Sequence, residues 1–99
     1  MYVHVNRLGD VSFEDLDVFT SLAVREELGD RDALALALSV AGAGELTGPS
    51  QVALDPDWLR SRGHPNARWS LEFDAMVRYA SGRDWIRADG FLLAHIERV

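Results

Sequence analysis

The chain has 99 residues, of which 47% are hydrophobic and 26% charged, so we expect one globular domain covering residues 1–99. All 10 basic residues are arginines, and 16 acids bring the net charge to -6. This balance disfavours nucleic acid as a partner, because nucleic-acid recognition needs a cationic face. The absence of cysteine excludes disulfides, thiolate nucleophiles and cysteine-ligated metals.

The first third of the chain is predicted to form one strand and one long helix. Residues 2–6 alternate between polar and β-branched side chains, which is the period of a strand. Ser12 and Asp15 have the spacing of a capping box, with Asp in place of Glu, and Gly29 has the position of a helix-terminating glycine. The apolar spacing between these signals predicts a helix over residues 12–28.

The middle of the chain is predicted to contain a helix, a loop and a short strand. Residues 33–40 consist mainly of Ala and Leu, the strongest helix formers, so we expect a short buried helix capped by Asp30 or Asp32. Three glycines and one proline within residues 42–50 predict a loop. Residues 51–54 are predicted to form a strand.

The last part of the chain is predicted to contain two helices and a hairpin. An Asp-Pro-Asp start and a glycine stop predict a helix within residues 55–63, and the apolar stripe of residues 67–81 predicts the next helix. Asp-Gly within residues 88–90, between two apolar runs, predicts a hairpin turn. The alternative for residues 91–97 is a final helix.

The predicted order of elements is β-α-α-β-α-α-β-β. We therefore expect an α+β fold in which four helices pack on a small antiparallel sheet. The second half, two helices followed by a hairpin, also has the order of a winged helix, and the alternative function is a DNA-associated regulator. The second helix of that motif carries Glu72, Asp74 and Arg78, a poor set of side chains for reading a groove.

A metal site is the second alternative, because His95 and Glu97 lie two residues apart and share one face of a strand. If the last strand paired with the first, His4 would complete a set of two histidines and one carboxylate that can ligate a divalent ion. A small enzyme or accessory subunit would use these three side chains. The simpler interpretation is that they cap the solvent face of the sheet, so we expect no metal, no cofactor and no catalysis.

The favoured function is protein interaction through surfaces of opposite charge, with a second copy of the chain or another protein as the partner. Residues 1–59 contain three arginines and eleven acids, whereas residues 60–99 contain seven arginines and five acids. This asymmetry predicts a homodimer that weakens with salt. Tryptophans next to arginines are also typical of interfaces. The candidate interaction residues are Glu14, Asp17, Glu26, Trp58, Arg60, Arg78, Trp85 and Arg87.

The cellular location predicted from the sequence is cytoplasmic. No apolar run approaches the ~20 residues of a membrane-spanning helix, so no membrane partner is expected. The first residues contain neither a basic region nor an apolar region of the kind found in signal peptides. The exclusive use of arginine is typical of a GC-rich bacterial coding genome.

Overall fold

The structure is a computed structural model that describes all residues 1–99, and it shows an α+β fold of six strands and three helices. The strands are β1 (Tyr2–Val5), β2 (Val11–Glu14), β3 (Ala23–Glu26), β4 (Gly44–Gly48), β5 (Gln51–Leu54) and β6 (Leu92–Arg98). The helices are α1 (Arg31–Ala41), α2 (Pro56–Arg62) and α3 (Ala67–Ser81).

All six strands belong to one mixed sheet with the order β2-β1-β3-β6-β5-β4. The three central strands, β1, β3 and β6, run parallel to one another, and the outer pairs are antiparallel. The prediction of four helices on a small antiparallel sheet is therefore wrong. The sheet is larger, it is mixed, and it carries three helices.

The helix predicted over residues 12–28 does not form, and this segment supplies two strands instead. Ser12 pairs with His4 across β2 and β1, and Val24 pairs in register with both β1 and β6. Between the two strands the chain turns at Asp15, whose φ is 51°. The segment contains several β-branched residues, which lose side-chain freedom in a helix and pack well on a pleated sheet.

The loop predicted over residues 42–50 is also wrong, because its first part forms the edge strand β4. Gly44 shows the reason. A Cβ at Gly44 would lie 2.1 Å from the Ala53 carbonyl oxygen, so β4 can approach β5 this closely only with glycine there. The glycines that indicate a loop in the sequence therefore include one that permits strand pairing.

The two helices and the turn predicted for the second half form, but the first arm of the hairpin is only an isolated bridge from Ile86 to Leu92, and the elements do not make a winged helix. Helices α2 and α3 match the predicted segments, and residues 88–90 make the expected turn, in which the Arg87 N–H donates to the Phe91 carbonyl. Strand β6, however, lies between β3 and β5 at the centre of the sheet. A wing is an exposed hairpin, so this central strand rules out the winged-helix arrangement.

One face of the sheet contributes the core, together with inward-facing side chains of the three helices. Trp69 lies at the middle of this layer, where its ring stacks on Phe73 with 5.1 Å between centroids. The Trp69 indole N–H donates to the Leu16 carbonyl at 2.7 Å, so its polar atom is satisfied. The core side chains that are completely buried are Val3, Val5, Val24, Leu38, Val52, Leu54, Leu59 and Phe73.

Helix α1 packs near both outer strands of the sheet, β2 on one side and β4 on the other. The buried positions of α1 are Leu34 and Leu38, whereas Leu36 and Val40 face outward. None of the three helices has the length and apolar character required to cross a membrane.

Candidate functional site

The predicted metal-binding side chains lie on the polar face of the sheet but are not assembled into a site. Strand β3 separates β1 from β6, and Arg25 on β3 donates to Glu97 at 3.0 Å. His4 pairs instead with Glu27, and the His95 ring nitrogen is 3.9 Å from Glu97. No group of three or more metal-ligating side chains comes together anywhere in the chain.

Two of the predicted interaction arginines are engaged in ion pairs within the chain. Arg60 donates to Asp74 at 3.0 Å. Arg87 donates to both Asp89 and Glu45 at 2.6 Å. The hydrogen bonds from Arg87 lower the pKa of Asp89 to about 2, and those two carboxylates raise the pKa of Arg87. Both arginines are therefore already paired within the fold.

Two further predicted interaction residues are buried. Glu26 is 3% exposed, and its carboxylate accepts the backbone N–H groups of Leu28 and Gly29. Trp58 is 8% exposed and packs against Phe13 with 6.4 Å between ring centroids. Both side chains therefore support the fold from inside.

The two predicted acids of the second strand and the following turn lie nearer the surface. Glu14 is half-buried at the end of β2. Asp17 is exposed and lies 3.5 Å from the His64 ring nitrogen. They do not line the cavity described next.

Trp85 lies at a groove between the end of α3, the connection from β2 to β3, and the start of β6. The groove has a volume of about 740 Å³. Trp85 is 49% exposed and meets the 57% exposed Tyr79 edge to face, with 6.0 Å between ring centroids. We call this cavity the aromatic groove, and its main apolar lining residues are Phe19, Leu22, Met76, Tyr79, Trp85 and Leu93.

The topology of the sheet creates the aromatic groove. The pairing of β3 with β6 begins at Ala23 and His95, so the first three residues of β6 extend beyond β3. Trp85 occupies part of this space. Its backbone N–H donates to the Ala80 carbonyl at 3.1 Å, and its carbonyl accepts from the Leu93 N–H at 2.8 Å. The backbone of Trp85 is thereby fixed between α3 and β6, while its side chain remains half-exposed.

Free charges of both signs lie next to the aromatic groove. Asp84 lines the groove, is exposed and has a φ of 60°. The guanidinium of Arg83 lies 5.0 Å from the centroid of the Tyr79 ring. Neither Asp84 nor Arg83 takes part in any of the ion pairs of the chain. Arg78 is exposed on α3 and does not line the groove.

Trp85 and Arg78 were selected from the sequence, but Phe19, Tyr79 and Asp84 were not. A signal for Tyr79 exists, because this residue falls outside the buried apolar stripe of α3 and a large aromatic on the polar side of a helix is unusual. Phe19 and Asp84 carry no comparable signal. They reach the groove only through pairing of the strands.

The chain matches no protein-family model, no curated protein and no solved structure. The function is therefore argued from the geometry of the aromatic groove.

Proposed function

We propose that the chain is a cytoplasmic protein-interaction module that self-associates through the aromatic groove. The observation that supports this proposal is the half-exposed pair of Tyr79 and Trp85 above an apolar cavity. Aromatic side chains dominate the binding energy of interfaces because they bury a large apolar area at a small cost in conformational entropy. A single exposed leucine needs no such explanation, whereas two adjacent exposed aromatics at a groove do.

A second copy suits this surface because the surface is self-complementary in charge. A two-fold symmetric interface places the same patch on both subunits, so each patch must contain both members of every contact. The aromatic groove has an apolar centre, with the carboxylate of Asp84 in its lining and the guanidinium of Arg83, which forms no ion pair, over the ring of Tyr79. A two-fold rotation of one copy relative to the other can then place the carboxylate of one copy next to the guanidinium of the other.

The proposal is tested by the oligomeric state of the purified chain. We expect a concentration-dependent monomer–dimer equilibrium in sedimentation velocity between about 10 μM and about 1 mM, the range in which weak interfaces are populated. Trp85→Glu should abolish the dimer, because it places a charge at the centre of the contact. Circular dichroism of the variant checks that the fold is retained.

Leu36→Glu is the matched control. Leu36 is 65% exposed on the outer side of α1 and does not line the aromatic groove. This variant changes the net charge by the same amount as Trp85→Glu and should leave the dimer intact. A wild-type chain that stays monomeric throughout the concentration range, or a dimer lost equally in both variants, would contradict the proposal.

A further inference from the structure

A second cavity lies at the edge of the sheet where the three parallel strands end. Strands β1, β3 and β6 run in one direction, so their carboxyl ends meet at the same edge. The cavity has a volume of about 290 Å³ and lies between β3, the start of α1, the turn from β4 to β5, and β6. We call it the polar cleft, and it shares no lining residue with the aromatic groove. Parallel strands commonly place ligand sites at this edge, and a cavity of this size admits only a small molecule.

The polar cleft contains Glu26, the one charged side chain of the protein that is buried. Glu26 is 3% exposed. Its Oε2 atom accepts the backbone N–H groups of Leu28 and Gly29 at 3.0 and 2.8 Å. Its Oε1 atom accepts no hydrogen bond and has one charged neighbour within 4.0 Å, the Arg98 Nε at 3.4 Å. Because a buried carboxylate is costly unless its charge is compensated, Oε1 is suited to a further donor.

Two further charges of the polar cleft, Asp30 and Arg31, have no ion pair. Asp30 caps α1, where its Oδ1 atom accepts the Ala33 N–H at 3.0 Å. The guanidinium of Arg31 lies neither within 4.0 Å of a carboxylate nor over an aromatic ring. Groups of opposite charge thus line one cavity without contacting each other, which leaves room for a molecule that carries both charges.

The walls of the polar cleft are fixed by backbone hydrogen bonds. The Val99 N–H donates to the Glu26 carbonyl at 3.1 Å, and the Ile96 N–H donates to the Ser50 carbonyl at 2.8 Å. The side chains of Leu34 and Ile96 supply the apolar part of the lining. A preformed site loses little conformational entropy on binding, so a few contacts are enough to hold a small molecule.

We infer that the polar cleft binds a free α-amino acid with a small aliphatic side chain. The ammonium group of the ligand donates to the carboxylates of Glu26 and Asp30, and its carboxylate accepts from the guanidinium of Arg31. Its aliphatic side chain packs against Leu34 and Ile96. Charge-assisted hydrogen bonds are the strong ones, and a molecule without one of the two charges leaves part of the site unpaired. This site is independent of the proposed self-association.

Titration of the whole, isotope-labelled chain with L-valine, followed by the backbone amide resonances, tests the inference. We expect saturable shifts at residues 26–31 and 96–99, with a dissociation constant between about 10 μM and about 10 mM, the range open to so small a molecule. Isovalerate lacks the ammonium group of L-valine, and L-valine methyl ester lacks its free carboxylate. Each should bind about tenfold more weakly or worse.

Arg31→Gln removes the charge that faces the ligand carboxylate. The side chain is exposed and has no ion pair, so the fold should be retained, whereas the dissociation constant for L-valine should rise about tenfold or more. Arg78→Gln is the matched control. Arg78 is also an exposed helical arginine without an ion pair, but it lies outside the polar cleft, so its variant should bind L-valine as the wild-type chain does.

Asp30→Asn is the variant for the ammonium side of the site. Asparagine caps a helix as well as aspartate does, so this change removes a charge from the polar cleft and keeps the start of α1. It should weaken the binding of L-valine severalfold. Asp55→Asn is its matched control, because Asp55 caps α2 in the same way and does not line the polar cleft.

The possible outcomes separate this inference from the proposed function. The absence of any shift up to about 50 mM L-valine would overturn the inference. Equal binding of isovalerate or of the methyl ester would overturn the recognition of both charges. Shifts that persist unchanged in Arg31→Gln and Asp30→Asn would overturn the assignment to the polar cleft. Weaker binding in these two variants alone supports the inference. Trp85→Glu should bind L-valine like the wild-type chain, whatever its oligomeric state.

Discussion

Single residues in this chain show how a charged surface is fixed by local contacts. Arg87 is held by Asp89 in its own turn and by Glu45 on the distant strand β4, and its guanidinium also lies over Phe91. One side chain thus connects the hairpin turn before β6 to the edge strand β4, which lies two strands away in the sheet. The turn itself needs Gly90, whose φ is 92°.

The pH dependence of stability should reflect the contact between Arg87 and Asp89. The folded-state pKa of Asp89 is lowered from 3.8 to about 2, so its contribution to stability is present above pH 3.8 and is lost as the pH falls towards 2. Asp89→Asn should therefore reduce the steepness with which the urea midpoint falls between about pH 4 and about pH 2.

Asp15→Asn is the comparison for this experiment, since Asp15 is an exposed turn carboxylate without an ion pair. Between about pH 4 and about pH 2, the urea midpoint of Asp15→Asn should follow that of the wild-type chain more closely than the midpoint of Asp89→Asn does. Identical limbs for the wild-type chain and Asp89→Asn would show that the carboxylate of Asp89 gains nothing from Arg87 in solution.

At the scale of elements, the helices were predictable because their signals are local. Asp30 and Asp55 accept N–H groups at the starts of α1 and α2, as their positions in the sequence indicate. The strands β2 and β3 were missed because each has only four residues, and because β3 is stabilised by β6 at the other end of the chain. The capping signals at Ser12 and Asp15 favour a helix, but the pairing of strands is the more stable arrangement of this segment.

The candidate site was predictable only in part for the same reason. Trp85 stands out in the sequence as a tryptophan close to an arginine, Arg87, but the aromatic groove exists only because β6 extends past β3. Phe19 enters the groove from a segment that the sequence predicts to be helical. The predicted metal set failed on the same point, since Arg25 occupies the strand between His4 and Glu97.

A glycine substitution tests the pairing of β4 with β5. Gly44→Ala places a Cβ against backbone atoms of Ala53 and Leu54, which cannot rotate away, so we expect a loss of about 1–3 kcal/mol in the free energy of unfolding. Gly48→Ala in the same strand is the control, because its Cβ would have no atom within 4 Å. Chemical denaturation of both variants measures the difference, and equal stabilities would show that β4 shifts to accommodate the methyl group.

At the scale of the whole molecule, the net charge says little about the surface, because most of the arginines are already paired with carboxylates of the same chain. The chain has a radius of gyration of 12.7 Å, and six of its ten arginines form ion pairs within 4.0 Å. At the aromatic groove, the charged groups without an ion pair are Asp84 and Arg83. The proposed dimer therefore depends on two charges and an apolar centre rather than on the net charge of -6.

Salt should weaken the dimer without abolishing it. Raising the ionic strength from about 0.05 M to about 0.5 M screens the charge pairs but leaves the apolar contact of Tyr79 and Trp85 in place, so we expect the dissociation constant to rise severalfold. Arg83→Met keeps the apolar stem and removes the charge. Its dimer should be weaker and nearly insensitive to salt when both chains are titrated with salt and followed by light scattering. A wild-type dimer that tightens with salt would mean that the charges oppose association.

The position of α1 has a consequence for the edges of the sheet. Strands β2 and β4 are the two edges, and an unprotected edge exposes backbone groups that can template aggregation. Because α1 packs near both edges, a fluctuation that unfolds this helix removes packing from both edge strands at once. Eleven residues of Ala-rich and Leu-rich helix thus couple the two ends of the sheet, and loosening of one edge strand is expected to accompany loosening of the other.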